Sequence, residues 1–473
     1  MDQPTALYES VAQSISSLIA AGTLRPGERV PSVRRLSTQQ QVSISTVLRA
    51  YEVLETRGLI EARPNAGYYV RPRVPAAAEP SISQPPRAPH RVGVSSLVRE
   101  LLGAREPGGA WCGAACPGHD PRPTPRLRRV LSSVVRKKPQ SLTTYVLPPG
   151  NEELRRQIAR RALEYGCSLA AKDVIITHGA MEALNLCIRA VARPGDTIAV
   201  ESPTYFGFLQ IFESLGIKAL EIPTCPRDGL SLDAMALALD RQKIAAVVAM
   251  PNAQNPLGFT MSDAAKKRLV ALLESRGVPL IDDDVYGDIH HGDERPRPAK
   301  SFDRSGNVML CSSFTKTVAP GFRLGWVAPG RWHAQVQMLK FINSVGSPEA
   351  LQLAISEFLS SGGYERQLRG LRRAFGEQLA QVSATVSEHF PAGTRITRPA
   401  GGFILWVALP QGVDTLELFR QALRNNISFG PGVLFSATDR YRNCMRIGCA
   451  EPWTPRMEKA LIKLGELAAR QLR

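Results

Sequence analysis

The sequence predicts an α/β body carried behind a small helical head, and three observations carry that reading. Apolar runs near Val174–Ile176, Thr197–Glu201, Ala245–Met250, Pro279–Asp282 and Val308–Ser312 alternate with helical patterns, as in a largely parallel sheet. Met1 to Val70 instead shows three amphipathic helical stretches and a hairpin. Between them, RPRVPAAAEPSISQPPRAP (71–89) is rich in proline and alanine and predicts an extended, mobile tether. The expected boundaries are a head over 1–73, a linker over 74–92 and a body over 93–473.

In the head, Tyr8, Val11, Ile15, Leu18 and Ile19 recur at helical spacing and predict a first helix ending near Gly22. Leu24 to Ser32 is a turn-rich connector, with Ser32 placed to cap a second helix through Val33 and Leu36. After a turn at Gln41–Ser43, Val47, Tyr51 and Leu54 form the buried stripe of a third helix. That leaves Ser43, Ser45, Thr46 and Arg49 near its open N-terminal end, where a recognition helix meets bases and phosphates. Gly58 to Val70 reads as a hairpin wing turning at Pro64-Asn65-Ala66-Gly67.

In the body, Ile175 to Leu184 reads as a strand, a glycine turn and a helix. The amides of Gly179, Ala180 and Met181 would meet an anion at the helix start, although the same pattern serves in an ordinary strand-to-helix turn. Tyr205 follows a strand and a proline turn, suited to stacking on a planar ring or to packing in a core. Asn255 sits in a turn after the apolar strand Ala245–Met250. Pro279 to Tyr286 ends a strand in Asp282, Asp283 and Asp284, costly neighbours without a positive partner such as a protonated pyridine nitrogen or magnesium. SSFTKTVAPGFRLGW (312–326) places Lys316 between hydroxyls and an arginine. Its amine is suited to condensing with a cofactor aldehyde, with Ser313, Thr315 and Arg323 holding a phosphate; a solvated loop lysine is the plainer alternative.

Taken together, the body segments resemble the fold type I aminotransferase family from about Pro117 onward. The resemblance implies pyridoxal 5'-phosphate as cofactor, a large α/β sheet domain and a smaller C-terminal α+β domain. The family's aspartate lies three residues before its tyrosine, which selects Asp283 before Tyr286. Its phosphate arginine lies seven beyond the lysine, which selects Arg323. Asn255 and Tyr286 would then reach the cofactor's phenolic oxygen. Tyr145 would reach the neighbouring subunit's phosphate in a homodimer, and Arg446 in Cys444–Gly448 would clamp a substrate carboxylate. Every residue that transamination needs is present on this reading, so the resemblance leaves turnover open.

The head resembles the GntR family's DNA-binding domain, a winged helix-turn-helix, through Pro31-Ser32-Val33-Arg34 and the G-L-I-E…G-Y-Y-V wing. By position, Arg34 would contact double-stranded DNA, Ser45 and Thr46 would sit at the groove, and Gly67 would shape the wing tip. Many relatives carry an arginine early in the recognition helix where this chain has Ile44, which removes a guanine-reading fork. The whole arrangement resembles the MocR-type transcriptional regulators. It implies a regulator that senses pyridoxal phosphate or its adduct with an amino compound; the alternative is a working aminotransferase with a DNA-binding head.

The net charge of +17 is not concentrated in the head, where nine basic residues face six acidic ones. Arg122 to Lys138 holds seven basic residues and no acid, either a solvated helix face or a second phosphate-backbone contact. Eight cysteines lack paired metal-ligand spacing, so no metal is expected and reduced thiols in a cytoplasm are the simplest account. No apolar stretch is long enough for a bilayer, and a soluble protein is expected.

Overall fold

The computed structural model describes residues 7–25, 27–56, 59–63, 67–70, 77–103, 110–113 and 124–473. They form two compact units, Met1–Ala76 and Ala77–Arg473. The expected wing turn at Pro64–Ala66, together with Pro26, Gly58, residues 71–76, Cys116, Pro117 and Arg122, lies outside the described residues.

In the first unit, helices α1 (Leu7–Ala20), α2 (Val33–Gln40) and α3 (Ile44–Thr56) join an antiparallel hairpin of β1 (Ile60–Arg63) and β2 (Gly67–Val70). Val11, Ile15, Leu36, Val47, Tyr51, Leu54, Ile60 and Val70 enclose one core. Fully burying such side chains is worth about 1.5–3 kcal/mol each. Leu18, expected in the buried stripe of α1, is exposed instead, and Ala12 takes an inner place. Both later helices start at serine caps: Ser32 Oγ accepts the Arg35 N–H (3.3 Å) and Ser43 Oγ accepts the Thr46 N–H (3.1 Å). The connector does more than turn. Val30 donates to the Tyr68 carbonyl and Val70 to that of Glu28, so it lies alongside β2 as a third extended segment.

The second unit holds a nine-stranded sheet. Its order is His90–Arg91, Lys218–Cys225, Thr197–Ser202, Ala246–Ala249, Leu280–Asp283, Val308–Ser313, Gly325–Ala328 and Ile175–Thr177, with Gly229–Leu230 paired beside Lys218–Cys225. The strands from Lys218–Cys225 to Val308–Ser313 are mutually parallel. Gly325–Ala328 runs antiparallel between its neighbours, so Ile175–Thr177 again points with the parallel set. The central strands are buried throughout, which is why they read as unbroken apolar runs. A second, antiparallel sheet of Arg395–Ile396, Ile404–Ala408, Cys444–Gly448 and Gly430–Pro431 packs against helices Gly363–His389, Thr415–Leu423 and Pro455–Arg470.

The linker expectation needs correction over residues 77–91. The segment is extended, but it is fastened to the second unit rather than mobile. The Ile396 N–H donates to the Ala78 carbonyl (2.9 Å), Glu79 pairs with Arg227, and Ser83 and Thr224 exchange two hydrogen bonds. His90–Arg91 then joins the edge of the large sheet. Proline-rich sequence predicted extension correctly; the partners that hold the segment are more than 120 residues distant in sequence and left no local signal. A cavity of about 510 Å³ lies under it, bordered by Pro203, Leu257 and Trp406.

Candidate functional site

A second cavity, of about 180 Å³, opens where the parallel strands end. That is where side chains converge from several strand termini in open α/β sheets. Ala180, Met181, Tyr205, Asn255, Asp283, Tyr286, Ser313, Thr315, Lys316 and Arg323 all line it. These are ten of the positions singled out in sequence, brought together from separate segments of the chain. Leu184, Met250 and Val285 complete the lining. Sequence reasoning missed these three because an apolar side chain on a strand or helix looks the same whether it faces the core or a ligand.

Gly179 does not line the cavity itself but adjoins Arg323, which does. Its backbone (φ 77°, ψ 174°) is a conformation open essentially to glycine alone. A Cβ there would stand 2.8 Å from Nη2 of Arg323, so glycine allows the guanidinium to lie across the start of helix Ala180–Val191. No side chain caps that helix, leaving its first amides for an anion. Arg323 itself adopts a left-handed backbone, and its Nη1 reaches Thr315 Oγ1 at 3.5 Å. Lys316 Nζ lies 5.8 Å from the Tyr286 ring centroid.

The three consecutive aspartates diverge. Asp284 pairs with Arg295 (2.6 Å) and accepts the Asn252 amide (2.8 Å), while Asp282 accepts the Lys300 N–H (3.2 Å). Asp283 alone faces the cavity, buried, with Oδ1 lacking any hydrogen-bond partner. Burial, reinforced by the neighbouring Asp282 and Asp284, pushes its carboxyl well above the ordinary range despite Lys316. A protonated ring nitrogen would supply the missing partner and the positive charge, so the chain's own residues fit pyridoxal phosphate at this point.

Arg446 is fully buried in strand Cys444–Gly448 and does not line the cavity directly. It donates to Asn255 Oδ1 (3.2 Å) and to the Gly113 carbonyl (2.6 Å), between the rings of Phe206 and Phe435, with Nε unpartnered. No carboxylate is bonded to it among the described residues, an expensive state for a buried charge unless an anionic ligand arrives. Tyr145 is 82% exposed and takes no part in its own chain's cavity.

Behind the visible wall lie groups that sequence did not flag. Glu201, buried, accepts the Met250 N–H (2.8 Å) and the Gln254 amide (3.3 Å); burial pushes its carboxyl up to about 8. Gln254 also donates to the Pro203 carbonyl (2.9 Å), joining the loops that deliver Tyr205 and Asn255. At the start of helix Ala180–Val191, Glu182 binds buried Lys340 (2.7 Å) and the His178 N–H (2.7 Å). Burial opposes ionisation there, but those bonds outweigh it and hold the Glu182 carboxyl low.

In the head, Arg34, Ser43, Ser45 and Arg49 are exposed, and Thr46 partly so. Ser43 is chiefly a cap, with its Oγ also 2.8 Å from Ser45 Oγ and 2.7 Å from Thr46 Oγ1. Arg49 stacks over Tyr8 at 4.5 Å. Gly67 (φ 94°) begins β2 beside the Arg29 guanidinium.

Two family models match the chain. Residues 118–464 match aminotransferase class I and II, and residues 7–70 match the bacterial regulatory proteins of the gntR family. The chain is 39% identical to the uncharacterized HTH-type transcriptional regulator YjiR of Escherichia coli (strain K12), over 98% of this chain and 99% of that one. The chain belongs to the MocR type, a GntR head joined to an aminotransferase class I and II domain. YdcR of the same organism, also an uncharacterized HTH-type transcriptional regulator, is 38% identical over 98% of this MocR-type chain and 99% of its own. Among solved structures, kynurenine aminotransferase of Pyrococcus horikoshii superposes with a TM-score of 0.75 at 26% identity, covering 80% of this chain and 95% of that one. LysN, the α-aminoadipate aminotransferase of Thermus thermophilus, gives 0.74 at 26%, covering 81% and 96%. No helix among the described residues is long and apolar enough to cross a membrane, and no cluster of His, Cys, Asp or Glu among them is placed to hold a metal ion.

Proposed function

We propose that this MocR-type protein is a cytoplasmic, DNA-binding transcriptional regulator whose body senses pyridoxal phosphate, alone or combined with an amino compound. The observation that carries the reading is the buried Asp283 carboxyl, its Oδ1 without a hydrogen-bond partner, sharing one cavity with Lys316 and Arg323 in a chain that also bears a winged head. Pyridoxal phosphate supplies an aldehyde that takes amines and a ring that withdraws electrons. Lys316 would present its amine to that aldehyde. Arg323, Ser313, Thr315 and the amides of Gly179, Ala180 and Met181 would hold the phosphate, and Tyr205 would pack on the ring. Asp283 would keep a proton on the ring nitrogen, with Asn255 and Tyr286 beside the phenolic oxygen. Arg446 would draw in the carboxylate of an amino ligand by releasing its bond to Asn255.

A homodimer belongs to the same proposal, and the exposed surface supports it. Leu142, Tyr145 and Leu147 are exposed beside a second apolar set, Met338, Phe341, Ile342 and Val345. The two sets adjoin: Gln337 donates to the Pro148 carbonyl, and a Cβ at Gly346 would meet the Val146 carbonyl. A second copy of the chain covers this patch and lends Tyr145 to the neighbouring site.

The fastened segment 77–91 supplies a route outward. Ser83 binds Thr224, Thr224 Oγ1 accepts the Ser202 N–H (3.1 Å), and Ser202 leads through Pro203 to Tyr205. Occupancy that shifts Tyr205 therefore changes what the segment is fastened to, provided the ligand binds the two arrangements unequally.

The test is footprinting on DNA upstream of the protein's own gene, with and without pyridoxal phosphate, beside a turnover assay with amino acids and 2-oxo acids. A footprint that changes with cofactor supports the sensor. Sustained turnover with a footprint indifferent to cofactor overturns it in favour of an aminotransferase bearing a DNA-binding head.

A further inference from the structure

The start of α3 turns two large aliphatic side chains outward. Ile44 is 50% and Leu48 41% exposed, while Val47, Tyr51 and Leu54 enter the core. Four residues apart, the pair lies one above the other on a single helix face, and each side chain leans toward the N-terminal end. Neither residue belongs to the head's core.

The surroundings indicate what covers this face. Exposed Arg34 and Arg35 stand at the start of α2, whereas the carboxylates of α3, Glu52 and Glu55, come only in its second half. The N-terminal half therefore suits a polyanion, and the acidic half stays away from it. The hydroxyls nearby are largely engaged with one another: Ser43 Oγ takes the Thr46 N–H and lies within 2.8 Å of both Ser45 Oγ and Thr46 Oγ1. No arginine stands in this turn, and the nearest on the helix, Arg49, is stacked over Tyr8 at 4.5 Å, so guanine's paired acceptors meet no fork here. Of the four bases, only thymine offers the major groove a methyl group, which an aliphatic surface can dehydrate.

We propose that Ile44 and Leu48 form an apolar pad that reads thymine methyl groups in the major groove, so that the half-site is recognised by methyl contact in place of guanine bonding. The inference rests on the DNA-binding reading and names the base chemistry that the head selects. Its test begins with a duplex bound in the footprint, remade with deoxyuridine for each thymine of the protected half-sites. This removes methyl groups and leaves base pairing intact. Affinity should fall about fourfold for each contacted thymine, the change expected for one buried carbon. The Ile44→Ala/Leu48→Ala double variant should bind thymine DNA more weakly and no longer distinguish the two duplexes, with its melting temperature kept because both positions are exposed. Ile44→Val should retain the distinction. Equal binding of the two duplexes by the unsubstituted chain overturns the pad while leaving DNA binding intact. Undiminished discrimination by the double variant also overturns it, since the difference then comes from DNA shape. A chain that binds no duplex at all overturns the pad together with the DNA-binding reading.

Discussion

Gly179→Ala tests the phosphate cradle with two numbers that can be measured separately. The added Cβ would stand 2.8 Å from Arg323 Nη2, at a backbone of φ 77° and ψ 174°. Holding alanine in that region costs about 1–3 kcal/mol of folding stability. Relief by pushing the guanidinium aside forfeits a charge-assisted contact to phosphate worth about 1.5–3 kcal/mol, or roughly ten- to hundredfold in Kd. Urea unfolding of the cofactor-free protein reads the first quantity, and an absorbance titration with pyridoxal phosphate reads the second. Arg323→Lys is the companion: it should lose affinity through the lost planar fork while keeping stability, because the backbone at Gly179 is untouched. If Gly179→Ala binds pyridoxal phosphate within twofold of the unsubstituted chain, the cradle is not where the phosphate sits.

Four further outcomes are expected. Asp283→Asn removes a buried carboxyl whose Oδ1 lacks a hydrogen-bond partner; it should leave the cofactor-free chain as stable or more so by denaturant unfolding, yet weaken pyridoxal phosphate binding at least tenfold. Glu201 has its carboxyl raised from 4.5 to about 8 by burial, so the folded state holds about one more proton than the unfolded state between those values. Stability should therefore fall as pH rises through that window, by at most about 1.4 kcal/mol per pH unit, and Glu201→Gln should flatten the slope measured by urea unfolding at pH 6 and 9. Thr224→Val breaks the bond to Ser202 and should reduce the effect of pyridoxal phosphate on DNA affinity while changing cofactor Kd by less than about fivefold, the worth of one ordinary hydrogen bond of about 1 kcal/mol. Arg446→Met should abolish any response to amino-acid ligands and spare binding of pyridoxal phosphate alone, read by the same titration with and without amino acid.

How far the site could be read in advance varied with the kind of residue. Lys316, Asp283 and Arg323 stand at fixed offsets within short segments, and polar side chains beside apolar strands announce themselves. Gly179 was named for its amides, but its close approach to Arg323 joins chain positions 144 residues apart and had no local trace. Leu184, Met250 and Val285 are indistinguishable from core by sequence, and the helical spacing that includes Leu18 does not reveal that it faces water. The docking of residues 77–91 was missed because proline and alanine fix backbone shape and say nothing about a partner.

By itself the sequence determined the division into head and body, the alternation of strands and helices, and the residue types able to hold a phosphorylated ring. These depend on periodicity and on chemistry carried within a few residues. Only the tertiary structure decided which of three adjacent aspartates stands in the cavity and which two bond instead to Arg295 and the Lys300 amide. It also decided that Arg446 waits buried on Asn255, that Tyr145 is exposed and outside its own chain's cavity, and that Ile44 and Leu48 remain outside the core. The reason is physical: strand direction, burial and charge compensation are set by neighbours distant along the chain, and those neighbours exist only once the sheet has closed.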